Sequence, residues 1–536
     1  MFLIMSAAYI SQELRSEFGA LPPSFLPLGN RRLFQYQISL APKGAQIFLT
    51  LPESFVIPDF DNEWLLKNGI TIVKLPDGLS LGASLVTALN LVDQGLEVPL
   101  HVLFGDTVID PLPHGQDLVA IATVEDNYDW AVVTEDDDNW LVSSQNILAE
   151  QEHSVITGYF KFSNPRQLIR CITKYSWQFL KGLGCYRQKI GLSEVPVSNW
   201  LDFGHANTYY RSKSAYTTQR IFNDLKITSD WIEKSGIHNE KIEAEANWFE
   251  NIPPMIRRYT PQYLGRPGGI PSGAYRLEYL HHIPLNELYV FADVAPLLWK
   301  KILKECLAFL KCCSNYPSPD GKLESGVNLD AMFTEKTTAR LRTFSLECGF
   351  RTDTVFRYHT QDTERRTLEL SINDIVQGSE AQLPSGDAQS TLVHGDFCFS
   401  NVLYEFRTNR IKVIDPRGLT PAGEKCIFGD IRYDLAKLSH SVLGMYDWIV
   451  AGYHETSFEG QEISIALPET SKHHEIQKMF LDMIEAEYSV SPAQLYAMQV
   501  HLFLSMLPLH NDDVNRQYAL LANSFRLYNL MERHQQ

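Results

Sequence analysis

The chain has 536 residues, with 47 Lys+Arg against 64 Asp+Glu, a formal net charge of −17, and 44% hydrophobic and 21% charged residues. That composition excludes disorder as the main state, and the length predicts roughly three to four ordinary domains or two larger ones. The acidic balance excludes a nonspecific binder of nucleic-acid backbones, which needs clustered Lys and Arg, while leaving room for a local basic pocket around a nucleotide.

The N-terminal stretch MFLIMSAAYISQEL has no basic flank and turns polar within about ten residues, so it reads as a buried first strand and not as a signal peptide. After it come the apolar runs AQIFLTLP and TIVKLP, a helix-like SLGASLVTALNLVDQG, and PLHVLFGD. Strands alternating with helices predict a parallel α/β sheet. The segments AIATV, WAVVT, NWLVSS and HSVITGYFKF, rich in β-branched and aromatic residues, predict further strands that complete it. Helix-like TTQRIFNDL then leads to a domain boundary near Asn223, giving an α/β domain over 1–222.

From about residue 224 the pattern starts afresh with a strand, DWIEKSG, and a helix, NEKIEAEANWFENIP. A Pro/Gly-rich GRPGGIPSGA, a strand and hinge in YRLEYLHH and a long helix in VAPLLWKKILKECLAFLKCC follow. The last part is mostly helical, with apolar positions at three-to-four spacing in PAQLYAMQVHLFLSMLPL and RQYALLANSFRLYNLM. Residues 223–536 are therefore expected to form an α+β domain of two lobes. No internal repeat is present, and the eight cysteines form no CxxC pair, which is the usage of reduced cytoplasmic thiols. No run approaches the roughly 18 to 20 apolar residues of a membrane-spanning helix. The expectation is a cytoplasmic protein acting on small molecules, with neither nucleic acid nor membrane insertion.

The strongest chemical signal is LVHGDFCFSNVLYE followed by RIKVIDPRG. It places His394, Asp396, Asn401 and Asp415 on loops beside two short strands. Phosphoryl transfer needs this set: a carboxylate to accept the proton of the attacking hydroxyl, and an amide oxygen and a second carboxylate to hold Mg²⁺ on the phosphates. With GDIRYDLAKL downstream, the sequence resembles the aminoglycoside phosphotransferase and choline kinase family, relatives of the protein kinases. The resemblance implies a kinase-like fold over roughly residues 225–530, with ATP and Mg²⁺ as cofactors. Asp396 would be the catalytic base, Asn401 and Asp415 the Mg²⁺ ligands, and His394 a support of the catalytic loop. Asp430 and Asp434 would be structural. Lys234 is the candidate cation over the ATP phosphates, with Glu245 as its helix partner and Glu243 as the alternative. Glu278 to Leu280 resembles the hinge whose backbone meets the adenine. No Gly-rich phosphate loop precedes Lys234.

The first half, from Ser6-Ala7-Ala8 to Pro27-Leu28-Gly29-Asn30-Arg31-Arg32, resembles sugar-phosphate nucleotidylyltransferases with a Rossmann-like mixed sheet. It departs from them where their loop is glycine-rich: Tyr9, Ile10 and Ser11 stand there, and a bulky loop approaches a triphosphate less closely than bare backbone N–H groups do. Pro23 stands about where those enzymes carry a lysine, and Arg15 and Arg31 are the candidates for the missing positive charge. Gly105-Asp106 closes an apolar strand where the resemblance implies a Mg²⁺ carboxylate. Asp202, beside His205, is the candidate second carboxylate of a site for in-line attack on an α-phosphate. Ser84, with Gly82, is expected beside the base.

These readings combine into a bifunctional enzyme. The C-terminal domain phosphorylates a sugar, polyol or amino alcohol, and the N-terminal domain couples the product to a nucleotide from CTP or another triphosphate. The family setting is supply of bacterial surface or capsule polysaccharide precursors. The alternative keeps the kinase and makes the first half a silent nucleotide-sugar-binding or glycosyltransferase-like module. Small-molecule substrates are the expected partners, with a second copy of the chain or polysaccharide-pathway enzymes as further candidates.

Overall fold

The computed structural model describes residues 1–92, 95–124, 130–134, 140–143, 153–220, 225–228, 230–236, 239–267, 273–319, 329–360, 366–385 and 389–535. The expected boundary at Asn223 and the centre of GRPGGIPSGA lie outside the described residues. The chain divides into two compact units, 1–219 and 220–536.

The first unit is built on one sheet. Strand β1 (Phe2–Met5) is completely apolar and buried; Phe2, Leu3 and Ile4 are fully enclosed, each stabilising the unit by about 1.5–3 kcal/mol. It lies between β2 (Ile47–Pro52) and β4 (Leu100–Phe104), with β3 (Thr71–Leu75) beyond β2, and these four are parallel. After β4 come β5 (Thr107–Ile109), β6 (Leu118–Val124), β7 (Ala131–Val133), β8 (Leu141–Ser143), β9 (His153–Phe162), β10 (Ser193–Pro196) and β11 (Trp200–Asp202). The main order is β10-β6-β9-β4-β1-β2-β3.

The sheet is mixed, as the resemblance to nucleotidylyltransferases implies, and departs from the all-parallel order that strand–helix alternation alone predicts. β9 runs antiparallel to both β4 and β6, and β7 joins its edge and pairs with β8. Among the described residues between β6 and β9 there are only the short strands β7 and β8, whereas a parallel neighbour would need a crossover connection. Helices Leu81–Leu91, Pro165–Lys174 and Phe179–Ile190 share a hydrophobic core with one face of this sheet. Gly82 lets the first of them approach the turn between the other two: a Cβ there would lie 2.2 Å from the Trp177 carbonyl oxygen.

The second unit opens with an antiparallel sheet of β12 (Leu225–Ile227), β13 (Trp231–Ser235), β14 (Tyr263–Gly265) and β15 (Ala274–Glu278), in the order β12-β13-β15-β14. Helix Asn239–Asn251 packs on it, burying Ile242, Ala246 and Phe249 at three-to-four spacing. The remainder is dominated by helices, among them Pro296–Ser314, Lys336–Cys348, Ile431–Val442, Pro492–Met506 and Val514–Arg533. A Ser491/Gln494 capping box and Pro492 in the first turn start the fourth of these, and the fifth packs along it. The hairpin Val402–Glu405 with Arg410–Val413 carries the two motif loops. This is the expected α+β arrangement of a small sheet-bearing lobe and a larger helical one.

No described helix is long and apolar enough to cross a membrane.

Candidate functional site

In the second unit, β13 and helix Asn239–Asn251 carry Lys234 and Glu245 to one point. Lys234 Nζ lies 2.6 Å from Glu245 Oε2 and 3.0 Å from Asp415 Oδ1. Tyr275, opposite Lys234 on β15, donates its hydroxyl to the same Glu245 oxygen at 2.7 Å. Burial disfavours charge on both partners. Asp415 and Glu245 nonetheless raise the Lys234 pKa, whereas burial leaves that of Glu245 raised despite Lys234. Glu243, the alternative partner, binds Arg266 at 2.5 Å instead. One residue pair on a helix separated by two positions cannot share a face, so Glu245 turns inward and Glu243 away.

The loop His394–Asn401 is held from beneath. Asp434, fully buried in helix Ile431–Val442, accepts the N–H groups of His394 at 2.6 Å and Gly395 at 2.8 Å. Asp430 caps that helix through the Arg432 N–H at 2.9 Å. Burial holds His394 neutral, its pKa lowered to about 4. Its Nε2 faces the Ile414 carbonyl at 2.9 Å, and a carbonyl only accepts, so Nε2 carries the proton and Nδ1 takes the Asp396 N–H at 3.3 Å.

Asp396 is 37% exposed on its side chain and meets Lys437 Nζ at 2.8 Å. Burial opposes its ionisation, but Lys437 and Arg417 outweigh that and keep its pKa below the usual carboxylate range. The Asn401 amide donates to the Asp396 carbonyl at 2.9 Å and to Oδ2 at 3.1 Å. With the NH₂ spent, its oxygen accepts only the Ser400 hydroxyl, at 3.5 Å, and keeps a lone pair for another partner. Asp415 has a left-handed backbone, φ 56°, and is half-exposed. Gly418, at φ 62°, follows it where a Cβ would lie 2.3 Å from the Ala244 carbonyl.

The donor chemistry of Asn401 and Asp415, two hard oxygens beside a base, fits Mg²⁺ that completes its shell with phosphate oxygens and water. Among the described residues no group of three or more His, Cys, Asp or Glu is placed to hold a metal by itself.

Glu278 sits at the end of β15 and accepts the Gln262 N–H at 3.1 Å. Its side chain lines a cavity of about 540 Å³ with Arg257, Gln262 and Lys412, which does not include Lys234 or Asp415. The N–H groups of Glu278 and Tyr279 are bound to the Gln262 and Asp230 carbonyls, each at 2.9 Å.

In the first unit, β5 and β11 pair antiparallel with Thr107 opposite Asp202, bringing Asp106 and Asp202 together from 96 positions apart. An added Cβ on Gly204 would lie 2.9 Å from Asp106 Oδ2 and 3.4 Å from Asp202 Oδ1. Burial and the Asp202 charge push the Asp106 pKa up, and burial raises that of Asp202. Among the described residues Asp202 Oδ2 is buried without a hydrogen-bond partner, and a proton or a hard cation would satisfy it. Both carboxylates and His205 border a cavity of about 620 Å³ walled by Phe104, Trp130, Phe179 and Trp200.

The other residues expected here lie elsewhere. Arg15 is exposed, its guanidinium 5.7 Å from the Tyr9 ring centre, and Arg31 is exposed in the turn after Leu28; neither lines this cavity. The neighbouring Arg32 is the buried one, paired with Asp61 at 3.1 Å. Ser84 is buried within its helix, which offers Leu81 to the cavity instead.

Sequence reasoning missed Lys437, Arg417 and the Trp130/Trp200 walls. Lys437 was within reach: it lies one helical turn after Asp434 in DLAKL and so shares its face.

No family model and no curated protein sequence matches the chain. Among solved structures, a nucleoside-diphosphate-sugar pyrophosphorylase from Vibrio cholerae RC9 is 13% identical, covering 40% of this chain and 99% of its own, with a TM-score of 0.33. A CTP:phosphocholine cytidylyltransferase from Streptococcus pneumoniae is 12% identical over 40% of this chain and 98% of its own, TM-score 0.32. An aminoglycoside-3′-phosphotransferase of type VIII is 12% identical over 60% of this chain and 99% of its own, TM-score 0.29. The nucleotidylyltransferases align with the N-terminal part of the chain.

Proposed function

We propose that the chain is a bifunctional transferase: residues 223–536 move a phosphoryl group from Mg-ATP to a hydroxyl of a small metabolite, and residues 1–222 transfer a nucleotidyl group to the product. The observation that carries the first half of this reading is the meeting of Lys234, Glu245 and Asp415 from three separate elements, with Asp396 and Asn401 on the neighbouring loop. Asp396 accepts the proton of the attacking hydroxyl, and Asn401 fixes its carboxylate. Lys234, aligned by Glu245, holds nucleotide phosphate. A divalent cation held by Asn401 and Asp415 would spread the charge on the phosphates as the bond to the leaving oxygen breaks. The acceptor is a sugar, polyol or amino alcohol, and the setting is a cytoplasmic supply of surface-polysaccharide precursors. ATP consumption by the full chain over a panel of such acceptors tests this. Loss of turnover in Asp396→Ala is the expected result, and retention of most activity would overturn the assignment of the base.

In the N-terminal reaction an oxygen of the phosphate monoester forms a bond to the α-phosphorus of CTP or another triphosphate, and pyrophosphate leaves. Asp106 and Asp202 would hold Mg²⁺ there, and the unpartnered Asp202 oxygen supports this. The position of Arg15 and Arg31 outside the cavity, and its aromatic walls, favour a second reading: a silent or glycosyl-transferring module that binds a nucleotide-sugar. Pyrophosphate release from CTP, ATP, GTP or UTP, lost in Asp106→Ala, selects the first. Turnover of a nucleotide-sugar without pyrophosphate selects the second.

A further inference from the structure

Beside the His394–Asn401 loop of the second unit stands a group of cations that, among the described residues, form no direct ion pair with a carboxylate. Lys336 and Arg340 lie four positions apart on helix Lys336–Cys348, and Arg417 follows Asp415; all three are half-buried. Lys336 Nζ and Arg417 Nη2 both donate to the Tyr433 hydroxyl oxygen, at 3.0 and 2.9 Å. Arg340 donates to the Ser505 carbonyl at 3.0 Å. Among the described residues, none of the three lies within 4 Å of a carboxylate oxygen, whereas the cations around them are paired: Lys437 with Asp396 and Arg432 with Asp430.

The two acids whose charge reaches Arg417 are both engaged, Asp396 by Lys437. Asp434, next to Tyr433, spends both oxygens on the His394 and Gly395 N–H groups. Like charges at this helical spacing repel, and half-buried cations cost stability unless an anion meets them. Tyr433 shows how strong the local field is. Burial favours its neutral form, yet Arg417, Lys336 and Lys437 lower its pKa to about 7. Its oxygen occupies the place where an acid would stand.

The cluster also borders the loop that carries Asp396. The Arg417 N–H binds the His394 carbonyl at 2.9 Å, and its side chain packs where a Cβ on Gly395 would lie 2.8 Å away. A ligand oxyanion seated here is therefore a neighbour of Asp396.

We propose that Lys336, Arg340 and Arg417, arranged around Tyr433, bind an oxyanion carried by the acceptor, so that this enzyme phosphorylates an anionic hydroxyl compound, a sugar acid or sugar phosphate, and not a cationic amine. This rests on the phosphotransferase reading above. Two sources can supply the oxyanion, the acceptor or the nucleotide itself, and the experiment separates them.

Inorganic phosphate is titrated into the full chain, read by ³¹P line broadening and thermal shift, with and without Mg²⁺ and a nonhydrolysable ATP analogue. Phosphate is expected to bind beside the analogue. Lys336→Met and Arg340→Met are each expected to weaken phosphate by about tenfold or more, the loss of one charge-assisted bond, with the analogue's affinity and the melting temperature little changed. Arg340, which holds only one carbonyl, keeps the test usable if Lys336→Met fails to fold. Displacement of phosphate by the analogue overturns the proposal and gives the cluster to the nucleotide. Absence of phosphate binding, or binding unchanged in both variants, also overturns it. A chain that binds phosphate through these residues but no analogue overturns the phosphotransferase reading, and that result appears in a separate titration.

Discussion

Lys437 Nζ lies 2.8 Å from Asp396 Oδ1, and this contact keeps the carboxylate proposed as the base ionised against the pull of its burial. Removing the cation raises the carboxylate pKa, so Lys437→Met is expected to move the acid limb of the kcat–pH profile upward. At high pH, where Asp396 is ionised in both proteins, the difference between variant and parent narrows. An acid limb that stays in place in Lys437→Met would show that Lys437 does not set the charge of Asp396.

Asp396→Asn keeps the shape of the loop and removes proton acceptance. Phosphoryl transfer is expected to fall by about 10²- to 10⁴-fold, the usual contribution of a positioned base, with ATP affinity held. Stopped-flow product formation and a separate nucleotide titration measure the two quantities.

Lys234 neutralises both Glu245 and Asp415. Lys234→Met leaves two carboxylates facing each other, one of them enclosed. The expected cost is about 1–3 kcal/mol in denaturant melts, less than for a fully buried pair because Asp415 reaches solvent. The KM for ATP is expected to rise as well. Lys234→Met with Glu245→Gln should recover part of the stability and none of the ATP binding.

Asp434→Ala orphans two buried N–H groups under the catalytic loop. At about 1–3 kcal/mol for each unsatisfied group, the variant is expected to melt several degrees lower and to lose kcat before it loses ATP binding. Asp434→Asn, which can accept only one of the two bonds through its single oxygen, should fall between parent and Ala variant.

The pair Asp106/Asp202 makes stability pH-dependent. Asp106 in the folded chain holds its proton to about pH 7, while in the unfolded chain it releases it near the ordinary carboxylate value of about 3.9. The folded state therefore binds more protons between those values, and stability falls as pH rises from about 4 to about 7, levelling above. Asp106→Asn is expected to flatten that fall and to stabilise the chain at pH 8. Mg²⁺ should stabilise the parent at pH 8 and not the variant; melts with and without Mg²⁺ across this range decide.

The sequence alone determined the elements whose signals are local. The runs around Phe2, Ile47, Thr71 and Leu100 are apolar enough to be strands wherever they pair, and the spacing of HGD, Asn401 and Asp415 is what points to the phosphotransferase reading. What the tertiary structure decided is everything that depends on which face a residue turns and which neighbour it meets. Strand periodicity is blind to direction, so the antiparallel insertion of β9 could not be read from it. The choice of Glu245 over Glu243 waited on helix phase. Asp106 and Asp202 became a pair only through the register of β5 on β11, and Arg31 was left at the surface while Arg32 turned in. The cations around Tyr433 show this most plainly. Lys336, Arg340 and Arg417 are ordinary charged residues in the sequence, and only packing, which sets three elements side by side with no carboxylate among the described residues in direct contact with them, makes them the proposed oxyanion site.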